Sequence, residues 1–208
     1  MALINHDLFG SVNDKVQRAI DIARCFEPPE GYYLAYSGGK DSTVVKAILD
    51  MAGVKYDVHY NVTTVDPPEL VRFIIGQFDS VVYEMPDNSV RIYQVDNGKL
   101  RKSDSAIGDV IYFEIPRLPM RKLIVERKMP PTRLMRYCCE ELKEVTGEGR
   151  VVVTGVRTAE SANRKANQGM VTFPDGIVAK VADEQGANFI LTKRGGWCSI
   201  TMMRLRAA

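Results

Sequence analysis

The chain has 208 residues, 45% of them hydrophobic and 26% charged, with a formal charge of +2. This composition is that of a globular protein able to bury a sizeable core, and it argues against disorder throughout. No apolar run approaches the roughly 20 residues of a membrane span, and the near-neutral balance gives no general attraction to nucleic acid or lipid, so any polyanion partner has to be argued locally.

The opening "MALINHDLFG" has neither the basic n-region nor the long apolar h-region of a secretion signal, which predicts a cytoplasmic chain whose four cysteines are thiols. Ser11 and Asp14 resemble a helix-capping pair, and Val12, Val16, Ala19, Ile20 and Ala23 follow at helical spacing. A first helix is therefore expected over about 12–26, stopped by the prolines of "EPPEG". "YYLAY" has continuous bulky residues, as a parallel strand covered on both faces does, and the helix after it is expected to bury Val44, Val45, Ile48 and Leu49 and to end at Gly53. "YDVHYNVT" reads as a strand, "DPPELVRFIIG" as a helix with its prolines at the start, and "SVVYEM" as a strand.

This alternation predicts a parallel sheet with crossover helices. Residues 88–115 break the rhythm: "VRIYQV", the turn "DNGK" and, after a polar stretch, "GDVIYFEI" are read as an inserted β-hairpin. A basic amphipathic stretch, "RLPMRKLIVERKM", leads to a helix carrying "LMRYCCEELKEV". "GRVVVTGV" is the fourth parallel strand, "TAESANRKAN" a short polar helix, and short strands and turns follow. The expected organisation is a nucleotide-binding domain over 1–167, with the hairpin inserted at 88–115, and a short-strand extension over 168–208.

The turn "SGGKDS" stands where the first buried strand hands over to its helix. A helix N-terminus exposes N–H groups without internal partners and carries about half a positive charge, so an anion fits there, and glycines let backbone approach it. Ser37, Gly38 and Gly39 would form the cradle, Lys40 would add charge, and Asp41 and Ser42 would open the helix, their oxygens capping N–H groups or orienting a metal. The spacing matches neither the Walker nor the Rossmann glycine pattern. The bland alternative is a tight turn with no ligand.

"SGGKDS" after an apolar strand resembles the PP-loop of the ATP pyrophosphatase superfamily, and within it the chain is most similar to the phosphoadenosine phosphosulfate (PAPS) reductase-like family. "VDPPELVRF" resembles that family's polar loop after the second strand, "RYCCEELK" its vicinal-cysteine segment, and "GVRTAESANR" its arginine-rich segment, so that the likeness spans about residues 30–165. The resemblance implies a Rossmann-like α/β fold with a parallel sheet flanked by helices, ATP or an adenylyl sulfate as ligand, and Mg²⁺ with the nucleotide. It further implies that Arg157 and Arg164 contact the phosphate or sulfate end, with Lys143 as another candidate and Glu160 positioning Arg157 or a magnesium ion. The implied reaction is cleavage of ATP between its α- and β-phosphates, adenylating an acceptor and releasing pyrophosphate; no general base is identifiable. Thiol-dependent reduction of PAPS or adenylyl sulfate is the second reading, and a non-catalytic nucleotide-binding module serving a protein partner or a second copy of the chain is the third.

The sequence also departs from that family. Many relatives join such a cysteine pair to a later C-x-x-C to hold a [4Fe-4S] cluster, which takes four thiolates. Beyond Cys138 and Cys139 this chain has Cys25 and Cys198, so buried, unligated thiols are expected, with the iron–sulfur cluster as the alternative. His6 and His59 lack zinc-ligand spacing, and His59 reads as a strand residue. Segment 117–136 holds seven basic residues against Glu126 and is read as a solvated helical face; nucleic-acid contact is the alternative, weakened by the lack of aromatic residues for base stacking. The tail "GGWCSITMMRLRAA" lacks the Glu-Cys-Gly-x-His segment that supplies the reductases' nucleophile. Permitted codons for "GWCSITMM" read "VVFNYDD" in a neighbouring frame, so one reading is a truncated member whose residues from about 197 onward are a frameshift product, and a native end is the other.

Overall fold

The computed structural model describes residues 5–6, 12–13, 15–143, 146–147, 150–155, 171–172, 179–182, 188–191 and 198–201. They form a mixed α/β fold with a mostly parallel sheet flanked by helices, an architecture compatible with the expected Rossmann-like one. None of the described helices is long and apolar enough to cross a membrane. The chain divides into two compact units, one of residues 1–34, 40–56 and 149–208, the other of 35–39 and 57–148.

In the first unit, β1 (Asn5–His6) and β2 (Val12–Asn13) pair antiparallel, and helix α1 spans Lys15–Cys25. The helix thus begins three residues later than the sequence pattern predicts, because Val12 and Asn13 are taken up in that strand pair. α1 buries Ala19, Ile20, Ile22 and Ala23 and packs on α2 (Lys40–Ala52). α2 in turn buries Ser42, Val45, Ile48, Leu49 and Ala52, a stripe of helical period, while Val44, expected inside, is largely exposed. Gly53 ends it in the left-handed region (φ 66°), its N–H donating to the carbonyls of Leu49 and Asp50. Arg24 Nε donates to the Ala52 carbonyl, satisfying another acceptor of the helix end.

Strand β3 (Tyr32–Ala35) carries fully buried Tyr32 and Leu34, and the Tyr32 hydroxyl reaches the Ala23 carbonyl of α1 at 2.7 Å. Its sheet neighbour is β9 (Val151–Thr154), the expected fourth strand. Arg150, just ahead of β9, donates to the Gly31 carbonyl at 3.1 Å and ties the starts of these strands together. β13 (Cys198–Thr201) runs parallel beside β9, β10 (Val171–Thr172) lies antiparallel beyond it, and β11 (Ala179–Ala182) pairs antiparallel with β12 (Asn188–Leu191).

The second unit is ordered β4-β8-β5-β6-β7. β4 (Tyr56–Asn61), β8 (Val110–Glu114) and β5 (Ser80–Glu84) run parallel, and β6 (Val90–Asp96) and β7 (Lys99–Ser103) extend them antiparallel. Helix α3 (Pro68–Ile75) starts on proline, whose missing N–H costs nothing in the first turn, and its Ile74 is fully buried. α4 (Met120–Arg127) and α5 (Tyr137–Leu142) pack through Leu123, Tyr137 and Leu142.

Here the hairpin expectation is corrected. "VRIYQV" does form a hairpin through Asn97 and Gly98, both at positive φ, but its partner is Lys99–Ser103. "GDVIYFEI" instead returns into the parallel sheet as β8, between β4 and β5. Ile111 and Phe113 are almost fully buried there, whereas the β7 residues are mostly exposed, so apolar burial selects which strand enters the middle. Phe113→Ala should therefore lose about 3–5 kcal/mol in urea unfolding, and Lys102→Ala less than about 0.5 kcal/mol. Similar losses at the two positions would contradict the central placement of β8.

Candidate functional site

From the carboxyl end of β3 the chain passes through Tyr36, Ser37, Gly38 and Gly39 and enters α2 at Lys40. Tyr36 is buried, set edge-on to Phe78 at 5.7 Å between centroids, and its N–H donates to the His59 carbonyl at 2.8 Å. Ser37 and Gly39 then come to the surface, with the Gly39 N–H over the Ser37 hydroxyl at 3.4 Å.

Gly38 has φ +70°, a conformation that side-chain-bearing residues rarely adopt. A Cβ there would sit 2.7 Å from Ile74 Cγ1 and 3.1 Å from Leu70 Cδ1. Ile74 is fully buried. The glycine is thus required twice, by its dihedral and by the packing of α3 under the turn. In the first unit, Gly155, at the end of β9, lies so close to the first turn of α2 that a Cβ would be 2.8 Å from the Asp41 carbonyl carbon and 3.0 Å from the Ser42 nitrogen. In that first turn the Lys40 side chain is exposed, Asp41 half-buried and Ser42 buried.

Lys143 lies just past α5, with its side chain exposed. Its carbonyl accepts a hydrogen bond from Asn61 Nδ2 at 3.3 Å, which holds it at the carboxyl end of β4, the strand whose His59 carbonyl fixes Tyr36. Arg157, Glu160 and Arg164 lie outside the described residues, as does the expected polar helix "TAESANRKAN" that carries Glu160 and Arg164.

Cys138 and Cys139 stand on α5, both half-buried rather than fully buried as expected. Burial and the adjacent Cys139 raise the Cys138 thiol above its ordinary pKa, keeping it protonated, and Arg136 Nη2 reaches Cys139 Sγ at 3.3 Å. Cys138 and Cys139 would supply two of the four thiolates that a [4Fe-4S] cluster takes. The basic side chains Arg121, Lys122, Arg127, Lys128, Arg133 and Arg136 are exposed, in keeping with a solvated face, and Arg127 pairs with Glu141 at 2.8 Å.

The loop after β4 adds groups that the sequence did not single out. The Asp66 carboxylate accepts from the Tyr60 hydroxyl at 2.6 Å and the Thr63 hydroxyl at 2.5 Å. Burial, reinforced by Asp66, pushes the Tyr60 phenol well above its ordinary range, so it remains a proton donor at any moderate pH. Thr64 takes φ 64°, an outlier for a β-branched residue, and its hydroxyl accepts the Met120 N–H at 2.9 Å, capping the start of α4. "VDPPELVRF" marks this loop in the sequence, but no residue pattern signals the strained threonine. His59, read as a strand residue, is one; its ring also meets Glu114.

The chain matches no protein-family model and no curated protein.

The packing under Gly38 yields a contrast. Gly38 and Gly53 have nearly the same φ, but nothing lies within 4 Å of a Cβ at Gly53. Gly53→Ala should cost about 1 kcal/mol from its dihedral alone, and Gly38→Ala at least about 2 kcal/mol, because buried atoms must also shift. Equal losses in urea unfolding would show that Ile74 yields freely.

Proposed function

We propose that this chain binds the polyphosphate of an adenine nucleotide on the amides of its Ser37–Ser42 turn, as a PP-loop protein similar to the PAPS reductase-like family. One observation carries the reading: a left-handed, sterically enforced glycine lies between a buried strand and a helix N-terminus, with exposed Ser37 and Gly39 on either side. The carboxyl end of a strand in an open α/β sheet is where such folds place ligands. Gly155 supports it, since a bare backbone against the Asp41–Ser42 peptide keeps bulk away from the first amides of α2.

The chemistry proposed is attack by an acceptor on the α-phosphorus of ATP: the new acceptor–phosphorus bond forms as the bond to the bridging oxygen breaks, and pyrophosphate leaves. In this reading Ser37, Gly38 and Gly39 hold the departing pyrophosphate through N–H groups, and Lys40 adds positive charge. Asp41 and Ser42 order the first turn and are the local oxygens available to a nucleotide-bound Mg²⁺, which would supply charge neutralisation when bound. Lys143, Arg157 and Arg164 are proposed as further anion contacts and Glu160 as their positioning residue.

Isotope exchange tests this. With Mg²⁺, ATP and the acceptor class supplied from a cell extract's small-molecule fraction, labelled pyrophosphate should enter ATP, and Asp41→Ala should reduce the exchange at least tenfold with the fold intact by circular dichroism. Calorimetry should show ATP association in wild type that weakens with Gly38→Ala. Folded wild-type protein that takes up neither ATP, adenylyl sulfate nor PAPS with Mg²⁺ present would overturn the assignment, and sulfite release from PAPS would replace adenylation with reduction.

A further inference from the structure

Three parallel strands of the second unit end on polar side chains that share one face. Parallel register sets His59 beside Tyr112, Asn61 beside Glu114, and Glu84 beside Glu114. Because side chains alternate along a strand, His59, Glu114 and Glu84 project to the same side, at the carboxyl ends of β4, β8 and β5. Their donor atoms all lie within 4.8 Å of one another. His59 Nδ1 is 2.8 Å from Glu114 Oε1, with the two side chains only 7% and 15% exposed. Tyr112 stacks on the imidazole at 4.9 Å between centroids and 19° between planes, which fixes the ring's orientation. Asn61 is engaged elsewhere, its amide bonded to the Lys143 carbonyl and the Thr146 hydroxyl.

We propose that His59, Glu84 and Glu114 bind a divalent first-row transition-metal ion with mixed nitrogen and oxygen preference, such as Mn²⁺ or Zn²⁺. Like charges directly opposite each other on neighbouring strands repel, and Glu84 and Glu114 stand in that relation. With both carboxylates ionised the trio is net negative in either state of the ring, and a divalent ion offsets two carboxylates at once. Donors on one ion at bond lengths of about 2.0–2.2 Å lie roughly 3 Å apart, close to the histidine–glutamate separation. One imidazole and two carboxylates suit manganese, iron or zinc more than a soft thiolate-seeking ion. Three protein ligands also leave positions open to water or to an oxygen of a substrate. Strand residues of the second unit suffice for this site, and it requires no nucleotide.

The test titrates Mn²⁺ alone into the metal-stripped full chain, without nucleotide, and follows loss of the free-ion signal by electron paramagnetic resonance. Manganese disfavours thiolates, so Cys138 and Cys139 do not compete, and a chain with both changed to serine should bind as wild type does. One Mn²⁺ per chain is expected, displaced by Zn²⁺, with affinity at least tenfold weaker in both Glu84→Gln and Glu114→Gln. Circular dichroism and urea midpoints identify the folded variants, and either glutamine variant that folds decides the matter. The proposal is overturned if Mn²⁺ stays free through millimolar concentration or if a folded glutamine variant holds it as tightly as wild type. Because no nucleotide is present, this result is independent of pyrophosphate exchange.

Discussion

A methyl group at position 38 would have to occupy the volume of Ile74, and that exclusion shapes the turn between β3 and α2. The buried isoleucine anchors α3 below, glycine alone accommodates both the contact and the left-handed dihedral, and Ser37 and Gly39 are left at the surface. A loop that was merely permissive would not need such close support. The apolar burial of Ile74 underneath holds the backbone of the turn in one conformation. Gly155 plays a comparable part against the start of α2, where the clash would be with backbone rather than with a side chain.

Polar groups in the second unit gather where its parallel strands end. Tyr60, Thr63 and Asp66 form one small network, and His59, Glu84 and Glu114 another. The two differ in charge. In the first, hydroxyl groups satisfy a single carboxylate, an arrangement stable without any added partner. In the second, two carboxylates meet across adjacent strands beside one imidazole. Thr64 stands beside the first network and exchanges an unfavourable dihedral for the cap of α4, so strain in the β4 loop is linked to the placement of the next helical element.

The inserted segment shows how the same residues can belong to different structures by local and by global criteria. An Asn-Gly turn requires a hairpin, and one forms, but the turn does not say which later strand returns to the sheet. Lys99–Ser103 is polar enough to stay at the edge, while Ile111 and Phe113 can be satisfied only in the interior. The hairpin therefore extends the sheet outward, and β8 fills the place between β4 and β5. That exchange is also what brings Glu114 alongside both Glu84 and the residues of β4.

By itself the sequence determined the hand-over at residues 37–42, the extents of α2 and α3, the strands β3, β4, β5 and β9, and the Asn-Gly turn. Those features depend on neighbours a few positions away: proline and glycine fix local dihedrals, and helical or strand periodicity repeats within one element. Tertiary structure decided the partner of "VRIYQV", the packing that forbids a side chain at Gly38, and the meeting of His59 with two glutamates. Each joins residues well separated along the chain, where register and close packing, rather than any residue's own preference, set which atoms come into contact.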